Sequence, residues 1–265
     1  MTNIISVQSS VFNDLVGNQA ARHILGSQGY NFYEIPTVIL TSHKAHKNSL
    51  QLHPQNLNPW KIFTNVKKIY KLKKQDLTIV GYIPNFETSK SIAKIIKNQK
   101  KILLDPVMGD LGVGLYISED VAKFYKKMIT KVSFVSANFF EWSYLNDKNT
   151  NNYQLPLIIK DLKIFSNQHK SQLLIRSIPY KGDLLNILCQ NNKVWGITTP
   201  NINFKNRFHG AGDLCTAIYA HYINQNISLK KTLENITGDI FNLIASKRFK
   251  SSRRRVFKAK SLDNL

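Results

Sequence analysis

The sequence predicts an α/β fold: a mostly parallel central sheet covered by helices on both faces, with antiparallel strands at one edge. Three observations carry this. Short apolar runs alternate with longer amphipathic segments along the chain, the pattern of repeated strand–helix–strand units. Two late apolar runs flank Asn191-Asn192 instead of a helix, which signals a hairpin. Hydrophobic residues make up 43% and charged residues 20% of the 265 positions, enough for a large core and too apolar for a disordered chain. One domain over 1–265 is expected.

The elements follow in order. Asn3–Val7 is strand-like. Over Gly17–Gln28, Ala20, Ala21, Ile24 and Leu25 recur at helical spacing. Thr37–Thr41 is β-branched and reads as a strand. Asn58-Pro59 opens a helix with Ile62, Phe63, Val66, Ile69 and Tyr70 on one face. Leu77–Tyr82 is a strand, Phe86–Ile96 a helix, and Ile102–Leu104 a strand that runs into Asp105-Pro106. Ser118–Ile129 is a helix with Ser118 as cap and Glu119 and Asp120 in its first turn. Phe134–Ser136 is a strand, Leu157–Phe165 a helix and Gln172–Arg176 a strand. Leu184–Gln190 and Lys193–Thr199 form the hairpin. Helices near Asp213–Asn224 and Ser228–Phe249 close the chain. The polar stretch Asn146–Asn152 is an exposed loop.

The net charge is +21, from 37 Lys and Arg against 16 Asp and Glu. Such an excess attracts nucleotides, nucleic acid and anionic membranes. Lysines are scattered through a chain rich in Lys, Asn and Ile, so most of the excess reads as composition, and nucleic-acid binding is not expected. The exception is Lys247–Lys260, KRFKSSRRRVFKAK, with eight positive charges and no acid. It could form a basic surface helix or an anion-binding tail, and a frayed, solvated segment over 247–265 is the expectation. No apolar run reaches the roughly 18 residues that span a bilayer. Met1–Val7 lacks a basic region before its apolar stretch, so no signal peptide is expected. Cys189 and Cys215 stand outside any metal-ligand spacing and read as two buried thiols in a reduced, cytoplasmic setting.

In open α/β sheets ligands bind beyond the carboxyl ends of the strands. Ser9, Gly81-Tyr82, Asp105 and Asp110, Asn138 with Glu141, and Arg176-Ser177 all fall at such ends. The sharpest local signal is His209-Gly210-Ala211-Gly212-Asp213 leading into an apolar helix. Unpaired N–H groups at a helix start attract an anion, and small residues allow it close. A carboxylate beside an anion site suits the removal of a proton from a hydroxyl that attacks phosphorus. It could equally be a helix cap. Asp105 and Asp110, flanking a Pro–Gly turn, suit a hard cation such as Mg²⁺, and Glu141 could hold a metal-bound water or cap a turn. The phosphate loop GxxxxGK[ST] does not occur.

Taken together, QSSV at 8–11 with GNQAA at 17–21, Gly81-Tyr82, DPVMGD at 105–110, Gly114-Leu115-Tyr116, ANFFE at 137–141 and GAGD at 210–213 resemble the pyridoxal kinases of the ribokinase-like superfamily. The resemblance covers about residues 3–245. It implies a three-layer α/β/α fold, ATP-dependent phosphorylation of the 5′-hydroxymethyl of pyridoxal, and a homodimer. It implies Asp213 as the base and the amides of Gly210, Ala211 and Gly212 as the anion hole. Ser9, His43, Lys44, Ala45 and Tyr82 would face the pyridine ring. Asp105, Ser136, Asn138, Glu141, Arg176, Ser177, Thr198, Thr199, Pro200 and Asn201 would face ATP. Asp110 and Glu141 would act on Mg²⁺, mostly through water, and a monovalent cation such as K⁺ is a further candidate.

Some positions depart from the family pattern: Lys44-Ala45-His46 after His43, Arg176 for a Lys or Thr, Asp14 for an uncharged residue, and Ile83-Pro84 after Tyr82. Hydroxymethylpyrimidine kinase is the near alternative. It shares DPVM and an HG-x-G turn but usually carries Cys at the position of Asp213. A non-catalytic basic binding protein on a decayed kinase fold is the third reading.

Overall fold

In a computed structural model, which describes residues 2–43, 46–52, 57–202, 209–225, 227–249 and 255–265, the chain alternates strands and helices as far as residue 180. It runs β1 (Asn3–Val11), α1 (Gly17–Gly26), β2 (Asn31–Leu40), β3 (Gln51–Leu52), α2 (Pro59–Ile69), β4 (Leu77–Val80) and α3 (Phe86–Asn98). Next come β5 (Ile102–Leu104), a small flap of β6 (Gly109–Asp110) and β7 (Gly114–Leu115), and α4 (Glu119–Met128). Then follow β8 (Phe134–Asn138), α5 (Phe139–Leu145), α6 (Leu155–His169), β9 (Gln172–Tyr180), β10 (Asp183–Gln190) and β11 (Lys193–Thr199). The chain ends with α7 (Ala211–Ile223), α8 (Leu229–Phe249) and β12 (Lys260–Ser261).

Ten strands form one sheet in the order β12-β11-β10-β9-β8-β5-β4-β1-β2-β3. The pairs from β2 through β9 are parallel. Both edges are antiparallel: β3 on β2, and β10, β11 and β12 beyond β9. The three-layer α/β/α fold expected from the sequence is therefore present.

Successive side chains of a strand face opposite sides, and each side packs its own helix layer. Ile5, Val7, Val80, Leu104 and Ile175 belong to one core with residues of α2 to α6, among them Phe63, Ile92, Tyr125, Trp142 and Leu162. Ile4, Leu77, Ile79, Leu103 and Leu174 belong to the other, with α1, α7 and α8 through Leu25, Ile218, Tyr219 and Leu233. Because β4 and β5 are buried on both faces, they read as apolar runs, broken only by Thr78. Each buried Leu or Ile contributes about 1.5–3 kcal/mol.

The element boundaries differ where polar residues are buried. β1 continues through Gln8, Ser9 and Ser10 to Val11. Ser6 donates to Asn18 Oδ1 at 2.7 Å, Gln8 Nε2 donates to Ser6 Oγ at 2.9 Å, and Asn18 Nδ2 donates to the Gln8 carbonyl at 3.1 Å. The QSSV and GNQAA motifs thus meet as one buried network. β2 begins at Asn31 and contains Pro36. β3 pairs only with Ile39 and Leu40, so the edge beside Pro36 stays open, where proline is tolerated.

The expectation of a frayed end over 247–265 is corrected for the residues described. Arg255 and Asn242 exchange hydrogen bonds: Arg255 N–H donates to Asn242 Oδ1 at 2.9 Å, and Asn242 Nδ2 donates to the Arg255 carbonyl at 3.1 Å. Phe257 packs edge-on to Phe241 with ring centroids 5.1 Å apart. Ala259 N–H donates to Glu234 at 3.1 Å. Ser261 pairs with Trp195 and Lys260 with Gly196, adding β12 to the sheet. Residues 250–254 lie outside the described residues.

Candidate active site

A cavity of about 650 Å³ opens at the carboxyl ends of the parallel strands. Most residues singled out from the sequence line it: Ser9 on β1, His43 after β2, Tyr82 after β4, Asp105 and Asp110 after β5, and Asn138 and Glu141 at the β8–α5 junction. Arg176 and Ser177 on β9, Thr199 and Pro200 at the end of β11, and Gly210–Asp213 complete that group. Three of the residues assigned to ATP do not line it. Ser136 is buried beneath it, with its Oγ 2.8 Å from the Thr216 hydroxyl. Thr198 is exposed, since strand alternation turns it away from the side that Thr199 faces. Asn201 borders a neighbouring cavity with Lys181 and Asp183. Lys44 and Ala45 lie outside the described residues.

The start of α7 is shaped by glycine. Gly210 is the N-cap, with φ 90°, a left-handed conformation that glycine adopts without steric cost. A Cβ there would lie 2.2 Å from the Leu15 carbonyl oxygen. Asp213 is therefore not the cap; it sits in the first turn. Its carboxylate accepts the N–H of Gly17 and its own N–H. Burial, and next the charge of Asp105, push its pKa up to about 7 against these donors and Arg176. Such a group can hold or release a proton near neutral pH.

Beneath the helix start lies a buried polar cluster. Arg176 Nη2 donates to Asp105 Oδ1 at 3.2 Å and to the Ser136 carbonyl at 3.3 Å. The Thr216 hydroxyl donates to the other Asp105 oxygen. A Cβ on Gly212 would lie 3.0 Å from Arg176 Nη1, so the missing side chain makes room for the guanidinium. Burial raises the Asp105 pKa, and Arg176 opposes that rise. The neighbouring acids outweigh burial for Arg176 and keep it protonated. The cluster ties the ends of β5, β8 and β9 to α7.

At the β8–α5 junction the turn-cap reading of Glu141 is realised. Asn138 and Glu141 form a capping box. Glu141 Oε2 accepts the Asn138 N–H at 2.8 Å, and Oε1 accepts the Met108 N–H at 3.2 Å. Burial and Asp105 raise its pKa well above the ordinary carboxylate range. Asn138 Nδ2 also reaches the Gly109 carbonyl at 2.8 Å and Asp110 Oδ1 at 3.2 Å, which fixes the flap. No group of three metal-ligating side chains occurs among the described residues. Asp110 and Glu141 line the cavity and would suit Mg²⁺, which uses one or two carboxylates plus water and phosphate oxygens. Each Glu141 oxygen keeps a lone pair for a metal-bound water.

Several lining residues were given no place in the site by the sequence reading, although His209, Tyr116 and Cys215 stand in stretches it singled out. Tyr116 borders the carboxylates, and burial followed by Glu141, Asp110, Asp105 and Asp213 raises its pKa. His209, Asn186 and Cys215 also line the cavity, as does one side of α8 at Thr237, Ile240, Phe241 and Ile244. The α8 wall carries no motif and becomes visible only once the helix is placed. Gly17, quoted within GNQAA but given no site role, opens α1 with a φ of 54°.

Comparison with known proteins places this geometry. The model of the phosphomethylpyrimidine kinase family matches residues 36–247. The pyridoxal kinase PdxY of Histophilus somni is 24% identical over 230 residues, covering 83% of this chain and 80% of that protein. The structure of Plasmodium falciparum PdxK with AMP-PNP and PL superposes with a TM-score of 0.82 at 23% identity, covering 98% of this chain and 99% of that one. Leishmania donovani pyridoxal kinase in complex with ADP and pyridoxamine gives 0.80 at 22% identity, covering 99% of this chain and 100% of that one. These structural likenesses establish the shared fold.

Proposed function

Since the chain belongs to the phosphomethylpyrimidine kinase family, we propose that it transfers the γ-phosphoryl of ATP to the 5′-hydroxymethyl of pyridoxal, giving pyridoxal 5′-phosphate. The observation that carries the reading is Asp213: a carboxyl poised near neutrality in the first turn of α7, at the wall of a cavity that also holds Asp105, Asp110 and Arg176. Curated relatives described as pyridoxal kinases support the acceptor. Asp213 in place of cysteine speaks against the pyrimidine alternative.

In this reading Asp213 takes the proton of the hydroxymethyl group as its oxygen attacks phosphorus. The amides of Gly210, Ala211 and Gly212 stabilise charge on the transferred group. Arg176 is the one Lys or Arg among the described lining residues. It carries two duties: neutralising Asp105 and drawing the polyphosphate in. Ser9, His43 and Tyr82 hold the acceptor ring; Asn138, Ser177, Thr199 and Pro200 border the nucleotide. Asp110 and Glu141 would hold Mg²⁺, which would supply charge neutralisation for the phosphates. The same reading makes 1–265 one domain and the protein a cytoplasmic homodimer. No helix among the described residues is long and apolar enough to cross a membrane.

The test is ADP release by the purified protein with Mg-ATP over pyridoxal, pyridoxine, pyridoxamine and hydroxymethylpyrimidine. Pyridoxal is expected to support turnover with a product that absorbs as pyridoxal 5′-phosphate. Binding of ATP and pyridoxal with no such product, or preferred turnover of hydroxymethylpyrimidine, overturns the reading.

A further inference from the structure

Three chain segments close on one another at the Asp213 end of the cavity. Residues 12–16 between β1 and α1, with Gly17 at the start of α1, touch the other two. The His43 N–H donates to Asp14 Oδ2 at 2.7 Å, which gives the unconventional Asp14 a role. Leu15 turns its carbonyl to Gly210, and Gly17 donates to Asp213. The third side is a ring stack. His43 and His209 lie with centroids 4.2 Å apart and planes inclined by 23°. Both rings line the cavity, as do Val11, Val16, Leu40 and Tyr82 of the adjoining apolar cluster.

Two imidazoles stacked face to face make a two-ring column, and each outer face is a flat π surface beside the cavity. Such a surface favours another flat ring over an aliphatic group of equal size, through offset stacking and excluded water. His209 precedes Asp213 by four residues and is separated from it by the left-handed turn at Gly210. His43, His209 and Asp213 line one cavity, so a ring resting on the histidines shares it with the base. Asp14 pins His43 through its backbone, so His209 is the half of the wall carried by the loop that leads into α7.

We propose that His209, together with His43, forms the stacking wall of the acceptor subsite, and that His209 selects a flat heteroaromatic alcohol. This rests on the acceptor class proposed above. His209 acts by contact with the ring and the proton still goes to Asp213, so planarity rather than basicity is what the position requires.

The experiment combines steady-state kinetics with equilibrium binding of pyridoxal without ATP, followed by the pyridoxal absorbance, in wild type, His209→Ala and His209→Phe. His209→Ala is expected to raise the acceptor KM and Kd about five- to tenfold, the worth of one aromatic stack. The KM for ATP should move far less, and His209→Phe should restore most of the loss. An unchanged acceptor Kd in His209→Ala overturns the proposal, as does a Phe variant no better than Ala, or an equal rise in the KM for ATP. If wild type binds pyridoxal but does not phosphorylate it, the kinase reading fails, while the loss of binding in His209→Ala still decides the wall. If wild type turns over pyridoxal and the variant binds it normally, the wall fails and the kinase reading stands.

Discussion

Asp213 concentrates the consequences of burial in one side chain. Its pKa of about 7 means that the carboxylate needed to accept a proton dominates only above that pH. The kcat/KM for phosphoryl transfer should therefore fall as pH drops below about 7 in a pH–rate series. Asp213→Asn should lower kcat by about 10²–10⁴-fold. Stability should move the other way. A carboxyl with a raised pKa stabilises the fold while protonated, and that contribution is lost as pH rises from the ordinary value of about 4 through the raised one. The Tm of Asp213→Asn should then exceed that of wild type by a margin that grows up to about pH 7 and holds above it. Arg176 is tested through its partner. Arg176→Met leaves Asp105 buried without its cation and should cost about 3–5 kcal/mol in urea unfolding; adding Asp105→Asn should recover most of that loss. The sequence pointed to both residues, but assigned Arg176 to ATP alone. Its pairing with Asp105, 71 residues earlier, and its fit against Gly212 appear only when β9 and α7 are brought together.

The same contrast holds for whole elements. Long amphipathic helices and doubly buried strands such as β4 and β5 were legible, because burial leaves a periodic or nearly unbroken apolar pattern. β1 was read too short because Gln8, Ser9 and Ser10 look like a loop when their partners are unknown. α5 was missed because it has seven residues; only its capping box marks it, and the sequence reading put Asn138 at the nucleotide and Glu141 at the nucleotide and Mg²⁺. The QSSV and GNQAA motifs show why a signature can identify a family without marking ligand contacts throughout. Ser6, Gln8 and Asn18 hydrogen-bond to one another, and Ser9 alone of QSSV's polar residues lines the cavity. Asn18→Ala leaves Ser6 and the Gln8 carbonyl without their partner. It should cost about 1–3 kcal/mol, read as a shift of the denaturant midpoint with an unchanged m value.

Taken whole, the molecule supports one wall of the cavity with its carboxyl-terminal segment. Phe241 on α8 faces the cavity, while Arg255 stacks on it at 5.3 Å and Phe257 packs against it. Removing residues 255–265 should lower both the Tm and kcat/KM; an unchanged kcat/KM would show that the wall stands without its support. The sequence described this segment by charge alone, and its burial contacts depend on a strand, β11, that lies about sixty residues earlier. The sheet order also has a mechanical consequence. β1 lies between two parallel neighbours, so tension on the amino-terminal side loads its hydrogen bonds in shear, all at once. β12 is a two-residue antiparallel edge, so tension from the other side peels it open bond by bond. In an optical trap a pull on the carboxyl side should yield first at low force. The cavity wall at Phe241 would then lose its backing while the parallel core still bears load.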